Sequence, residues 1–168
     1  MPILIRPATR ADVPGILTIY NDAVLNTTAS WDYEPSTLDA RLAWYDEHVA
    51  CNFPVFVADH DGQIVGWSAF GKFRAKIGYQ FSVENSVYVA ADQRGQGIGK
   101  LLIPPLIDAA RERRLHVIIA GVEASNTVSI RLHAHFGFEE VARFKQVGYK
   151  FGRWLDLIFM QRILEPEA

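Results

Sequence analysis

The chain has 168 residues, 49% of them hydrophobic, a size at which one compact domain can bury a substantial core. Seventeen basic and nineteen acidic side chains leave a formal charge of −2, so nothing asks for a nucleic acid or an anionic membrane as partner. Cys51 stands alone, which excludes an internal disulfide and any metal site built on paired thiolates; with no apolar run of membrane-spanning length, the expectation is a soluble cytoplasmic protein.

Ile3, Leu4 and Ile5, stopped by Pro7, read as an opening strand, and Thr9-Arg10-Ala11-Asp12 is a capping-box pattern that starts a helix carrying Val13, Ile16, Leu17, Tyr20 and Val24 at helical spacing. Ser36-Thr37-Leu38-Asp39 opens a second helix with an apolar stripe of Leu38, Leu42 and Tyr45, after a polar and aromatic loop from Asn26 to Pro35. Strands are expected over Pro54 to Asp59 and Gln63 to Gly71, joined by a turn at Asp61-Gly62, and over Ser82 to Val89. A helix to about Arg114 follows, in which Pro104 and Pro105 each remove a backbone donor and predict a kink or a shortened first segment. Val117 to Val122 reads as a buried strand, Asn126 to Phe136 as a helix stopped by Gly137, and Glu140 to Gly148 and Trp154 to Arg162 as closing strands. The whole is expected to be one α/β domain, residues 1–168, with a mixed sheet, and Glu165 to Ala168 to be disordered.

The strand ending at Val89 runs through Arg94-Gly95-Gln96-Gly97-Ile98-Gly99-Lys100 into a helix. Such a junction offers backbone N–H groups at the positive end of the helix dipole, glycines let phosphate oxygens approach the main chain, and Arg94 and Lys100 add charge. The spacing is not the Gly-x-Gly-x-x-Gly of a dinucleotide fold, because Lys100 stands at the last glycine position. It is not a P-loop either, because Leu101 replaces the magnesium-binding Ser or Thr.

Gln93 to Lys100 resembles the Q/R-x-x-G-x-G/A coenzyme A motif of the GNAT superfamily of N-acetyltransferases, whose strand and helix order is the same, and the resemblance covers nearly the whole chain. Asn126, Leu132-His133 and Gly137-Phe138 are similar to its second signature. Asn26 to Trp31, Glu84 to Val89 and Phe151 to Leu157 resemble the phosphinothricin and methionine sulfoximine (or methionine sulfone) acetyltransferase group. The resemblance implies a mixed, mostly antiparallel sheet of about seven strands with flanking helices, and a homodimer. It also implies transfer of acetyl from acetyl-CoA, without a metal, to the α-amine of a small amino-acid-like molecule in a detoxification.

Acetyl transfer to an amine needs an uncharged nucleophile, a polarised thioester carbonyl and a proton for the departing thiolate. Glu84 alternates with Ser82, Ser86 and Tyr88 on one strand face and is the candidate base, with structural pairing to Arg74 as its alternative. Arg74 is also the candidate partner of a substrate carboxylate, and Trp31 and Tyr33 candidate pocket walls. The resemblance adds Asn85 and Ser86 as substrate ligands, and the backbone of Val87, Tyr88 and Val89 with Asn126 as coenzyme A ligands; Asn126 is equally a helix cap. His133 stands where the superfamily commonly has a proton-donating tyrosine, so its reading divides between cofactor contact and general acid. His133 and His135 point to different helix faces and form no metal pair. Lys150 and Arg153 flank Phe151-Gly152 and could reach toward a substrate or a partner subunit. Acetylation of protein N-termini or lysines is the competing activity, and a non-catalytic acyl-CoA sensor the competing class.

Overall fold

The computed structural model describes residues 2–165, so the expectation of disorder over Glu165 to Ala168 falls, beyond Glu165, outside the described residues. The elements are β1 (Leu4–Pro7), α1 (Val13–Asn26), α2 (Leu38–Ala50), β2 (Val55–His60), β3 (Gln63–Lys72), β4 (Ser82–Val89), α3 (Ile98–Glu112), β5 (Val117–Glu123), α4 (Thr127–His135), β6 (Glu139–Lys150) and β7 (Arg153–Ile163). The strands form a mixed seven-stranded sheet in the order β1-β2-β3-β4-β5-β7-β6. The chain divides into two compact units whose boundaries cut β3, β4 and α3: residues up to Phe70 with Ser86–Leu106, and Gly71–Asn85 with residues from Ile107 onward.

In the first unit β1 and β2 pair antiparallel, as do β2 and β3, which are joined by the expected turn at Asp61-Gly62. The capping box forms at Thr9 and Asp12, but it closes a short 3₁₀ turn before α1 begins. Arg6 reaches from β1 to Asp12 at 2.7 Å and to Asp59 at 2.9 Å, which ties the strand to that turn. One core cluster joins Ile16 and Ile19 of α1 to Val55, Val57, Trp67 and Ala69, and a second joins Ala58 and Val65 to Ile98 and Leu102 of α3. Each such buried aliphatic side chain contributes about 2 kcal/mol of transfer free energy.

Two expectations for the helices are corrected. The buried side chain of α2 is Arg41, not a leucine; Leu38 is exposed and Leu42 only half-buried. Of the two outcomes expected from the prolines of α3, the shortened first segment does not occur, since the helix runs on from Ile98 to Glu112. Pro104 and Pro105 deprive the carbonyls of Lys100 and Leu101 of their i+4 donors, and both of those residues are exposed, where water can substitute.

In the second unit β5 pairs antiparallel with β7 along its whole length, and β7 with β6 through a two-residue turn at Phe151-Gly152. The first half of β4 runs parallel to β5, with Ser82 opposite Val117, Val83 opposite Ile118 and Glu84 opposite Ile119. That register ends at Glu84, one residue before Asn85.

Candidate active site

In the first unit the chain leaves β4 at Val89, makes one 3₁₀ turn at Ala91–Gln93, and enters α3 through Gly95 and Gly97, whose φ angles are +78° and +82°. Open space surrounds both α-carbons, so it is the left-handed backbone, not crowding, that requires glycine there. Ile98 is the buried anchor of this helix start, while Gln96 and Lys100 are exposed and Gly99 half-buried. Arg94 is exposed, with its Nε donating to the Val89 carbonyl at 3.3 Å and its guanidinium 3.6 Å from Asp22. The first N–H groups of a helix lack helical acceptors, and although that of Lys100 is taken by the Gly97 carbonyl at 3.0 Å, those before it stand at a glycine-opened turn beside two exposed cations, a fit for a pyrophosphate.

The side chains of Val87 and Val89 pack on the Ala58–Val65–Ile98–Leu102 cluster. Tyr88 stacks on Trp67, ring centroids 4.9 Å apart, and its hydroxyl donates to the Ala29 carbonyl at 3.3 Å. Burial holds the Tyr88 phenol well above its ordinary pKa. Trp31 is half-buried, its indole donating to the Thr28 carbonyl at 3.1 Å, and Tyr33 is exposed. The loop carrying both is anchored by Tyr20, whose hydroxyl bonds to Asp32 and lies 3.2 Å from the Ser30 hydroxyl. Beneath that tyrosine lies Arg41, its guanidinium carbon 3.9 Å from the Tyr20 ring centroid and 4.8 Å from that of Trp44. Its Nε has no hydrogen-bond partner among the described residues, and desolvation lowers its pKa. The sequence reading missed this cationic plug, since an arginine at i+3 from Leu38 reads as a solvated helix face.

In the second unit Glu84 sits half-buried above β5, its Oε1 so near Gly121 that a Cβ there would approach it to 3.1 Å. The same Cβ would meet the Phe159 ring at 3.4 Å, and Phe159 packs edge-on against Phe73 and Phe144 at 5.9 and 5.8 Å. Burial in this apolar setting raises the Glu84 pKa, and the field of Arg74 partly offsets it. Among the described residues no ion pair or hydrogen bond holds the Glu84 carboxylate, so the pairing with Arg74 is one of field, not of contact. Arg74 is exposed and lies over the Phe73 ring at 4.8 Å. Gly121 and Phe159 were missed at the sequence level, although a glycine inside an otherwise apolar strand is a signal of close approach.

Asn85 alternates to the opposite face of β4 and donates from Nδ2 to His133 Nε2 at 3.1 Å; Ser86 follows it, half-buried. His133 is only 4% exposed and makes a second bond, from Nδ1 to the Ser129 carbonyl at 2.8 Å. Asn126 caps α4, accepting from the Ser129 N–H at 3.1 Å. Of the remaining candidates, Lys150 is buried and Arg153 exposed, at the two ends of the β6–β7 turn. The described residues contain no group of three or more His, Cys, Asp or Glu that could hold a metal ion, and no helix long and apolar enough to cross a membrane.

The fold, the glycine-opened helix after β4 and the carboxylate lifted inside that strand define an acyltransferase, and the family model described as an acetyltransferase (GNAT) domain matches residues 5–159. The chain belongs to the GNAT acetyltransferases. It is 49% identical to an L-methionine sulfoximine/L-methionine sulfone acetyltransferase of Pseudomonas aeruginosa, over 99% of this chain and 97% of that one. A solved acetyltransferase of Salmonella typhimurium with its cofactor acetyl-CoA superposes with a TM-score of 0.96 at 45% identity, covering 99% of this chain and 96% of that one. A solved structure named as a ribosomal-protein-alanine N-acetyltransferase, from Brucella melitensis, superposes at 0.94 with 54% identity, covering 96% and 99%.

Proposed function

We propose that the chain moves the acetyl group of acetyl-CoA to the α-amine of a small amino acid of the methionine sulfoximine, methionine sulfone or phosphinothricin type, a detoxifying acetylation carried out in the cytoplasm. The observation that carries this reading is Glu84: a carboxylate without a hydrogen-bond or ion-pair partner among the described residues, raised in proton affinity by its apolar surroundings, and set inside a strand. A base tuned upward in this way can take the proton of an ammonium and release the neutral amine. Arg74 supplies a guanidinium to the substrate carboxylate, and Trp31, Tyr33 and Ser86 complete the substrate contacts. For acetyl-CoA, the N–H groups from Gly95 to Gly99, with the Arg94 and Lys100 side chains, hold the pyrophosphate, while the β4 backbone from Val87 to Val89 and Asn126 hold its arm. The amine then attacks the thioester carbonyl directly, the C–S bond breaks, and the thiolate takes up a proton; no acyl-enzyme is proposed, since Cys51 is exposed and lies outside the sequence motifs. A homodimer is part of the proposal, supported by an exposed apolar strip on the β6–β7 hairpin that includes Phe144, Val147, Tyr149, Phe151 and Trp154.

The Brucella structure's name favours a second reading, acetylation of a protein N-terminal alanine. A thiol-release assay with acetyl-CoA decides between them, run against free amino acids with their sulfone and sulfoximine derivatives and against peptides beginning with alanine. Turnover confined to the free amino acids supports the proposal; turnover confined to the peptides, or none at all despite acetyl-CoA binding, overturns it.

A further inference from the structure

His133 occupies the proton donor's place in the family pattern, yet its geometry leaves it nothing to donate. Its Nδ1 lies 2.8 Å from the Ser129 carbonyl, a group that only accepts, so Nδ1 carries the hydrogen. Burial lowers the His133 pKa against the smaller opposing pull of that carbonyl, so the ring is neutral and Nε2 bears a lone pair. The group 3.1 Å from Nε2 must then be a donor, which fixes the Asn85 amide with its NH₂ toward the histidine. The ring packs edge-on against Phe138, centroids 5.1 Å apart at 83°, a contact that a swing away from the amide would give up. Reversing the amide would set its oxygen against the lone pair of Nε2. The consequence is that Asn85, itself only 9% exposed, keeps its Oδ1 as an acceptor that no described residue satisfies. It does so at the first β4 position beyond the register with β5, on the face opposite Glu84.

We propose that His133 is a positioning residue: through its neutral Nε2 it locks Asn85 so that Oδ1 accepts an N–H from the arm of bound acetyl-CoA, a chain built with secondary amides. The substrate amine is the less suitable donor because it belongs to the Glu84 face of the strand. This inference rests on the acetyl-CoA reading above, and acetyl-CoA binding measured by calorimetry without any amine keeps the two separable. If acetyl-CoA binds but no amine is acetylated, the substrate proposal fails and this one is still decided by the affinities.

His133→Phe keeps the ring against Phe138 but gives Asn85 no acceptor, and is expected to weaken acetyl-CoA about tenfold or more, the usual scale for a buried hydrogen bond left unmade. His133→Gln restores an acceptor at nearly the same reach and is expected to stay within about threefold of the unmodified protein. In steady state the His133→Phe defect is expected in KM for acetyl-CoA, with the alkaline limb of the rate profile unmoved. The inference is overturned if His133→Phe binds acetyl-CoA normally, or if both variants lose kcat together with that alkaline limb, the signature of a proton donor. Nitrogen-15 shifts of the histidines in the unmodified protein test the same point without a variant. The hydrogen is expected on Nδ1 of His133, and a resonance showing it on Nε2 overturns the assignment.

Discussion

Gly121→Ala tests the Glu84 pocket without touching Glu84. The new Cβ would stand 3.1 Å from Glu84 Oε1, closer than most Cβ contacts, and 3.4 Å from the Phe159 ring, an ordinary contact, so the carboxylate is the neighbour that has to move. A shift of a few tenths of an ångström is a fraction of the displacement that costs about a hundredfold when a catalytic group is misplaced by about 1 Å, so kcat should fall about tenfold. The methyl also excludes water from the carboxylate, which raises its pKa further and moves the acid limb of the rate profile to higher pH. Stability should barely change. Alanine is favoured over glycine inside a strand by about 0.5–1 kcal/mol, which offsets the crowding and keeps the melting temperature within a few degrees. Initial thiol-release rates across pH, with a thermal melt of each protein, make the measurement. An unchanged kcat and acid limb in a normally folded variant would refute the claim that the carboxylate above Gly121 is the base.

Glu84→Gln should lower kcat by about two to three orders of magnitude while leaving acetyl-CoA affinity intact. In the unmodified protein activity should rise as pH climbs through the raised Glu84 pKa, because the base acts ionised; a rate flat across that interval argues against it. Asp12, hydrogen-bonded by Arg6, is held at about 2 against an ordinary 3.8. A depressed carboxylate stabilises the fold fully above its unfolded pKa and loses that contribution as pH falls through the folded one. Asp12→Asn should therefore cost about 1–2 kcal/mol at neutral pH, allowing for partial solvent screening, and nothing at strongly acid pH, as urea melts at the two pH values would register. Arg41→Met replaces a desolvated guanidinium, packed on rings and with an Nε that lacks a partner among the described residues, by an apolar chain of similar volume, so the melting temperature should hold or rise. A large fall would mean that the cation–π contacts outweigh its desolvation.

The fold was legible wherever the local signal and the burial agreed. The β4 bounds expected from Ser82 and Val89 are those observed, and Asp61-Gly62 and Gly137 sit at the turn and helix stop their chemistry demands. The expectations that failed rested on a local rule overridden by surroundings. Pro104 and Pro105 forbid donors whose loss matters only if the orphaned carbonyls are buried, and those of Lys100 and Leu101 belong to exposed residues. On α2 the stripe of Leu38, Leu42 and Tyr45 missed Arg41, because periodicity treats arginine as polar and cannot see the rings of Tyr20 and Trp44 arriving from elsewhere.

The residue types of the proposed site can be read in the sequence, and their environment cannot. A glutamate in the middle of a strand announces itself, but whether it is a base or half of an ion pair depends on what closes over it. Gly121 and Phe159 are remote in sequence and carry no polar atom on their side chains. Their effect is to remove water, and water removal is what turns an ordinary carboxylate into one that holds its proton more tightly. The histidine shows the converse. His133 looks like chemistry from its place in the motif, but a proton donor needs a nitrogen that carries a proton and faces the reaction. The Ser129 carbonyl takes the N–H that this ring has, and Asn85 occupies the nitrogen that is left. What the histidine can still do is hold its neighbour still, so its contribution should appear in how Asn85 meets the cofactor and not in the protonation of a leaving group.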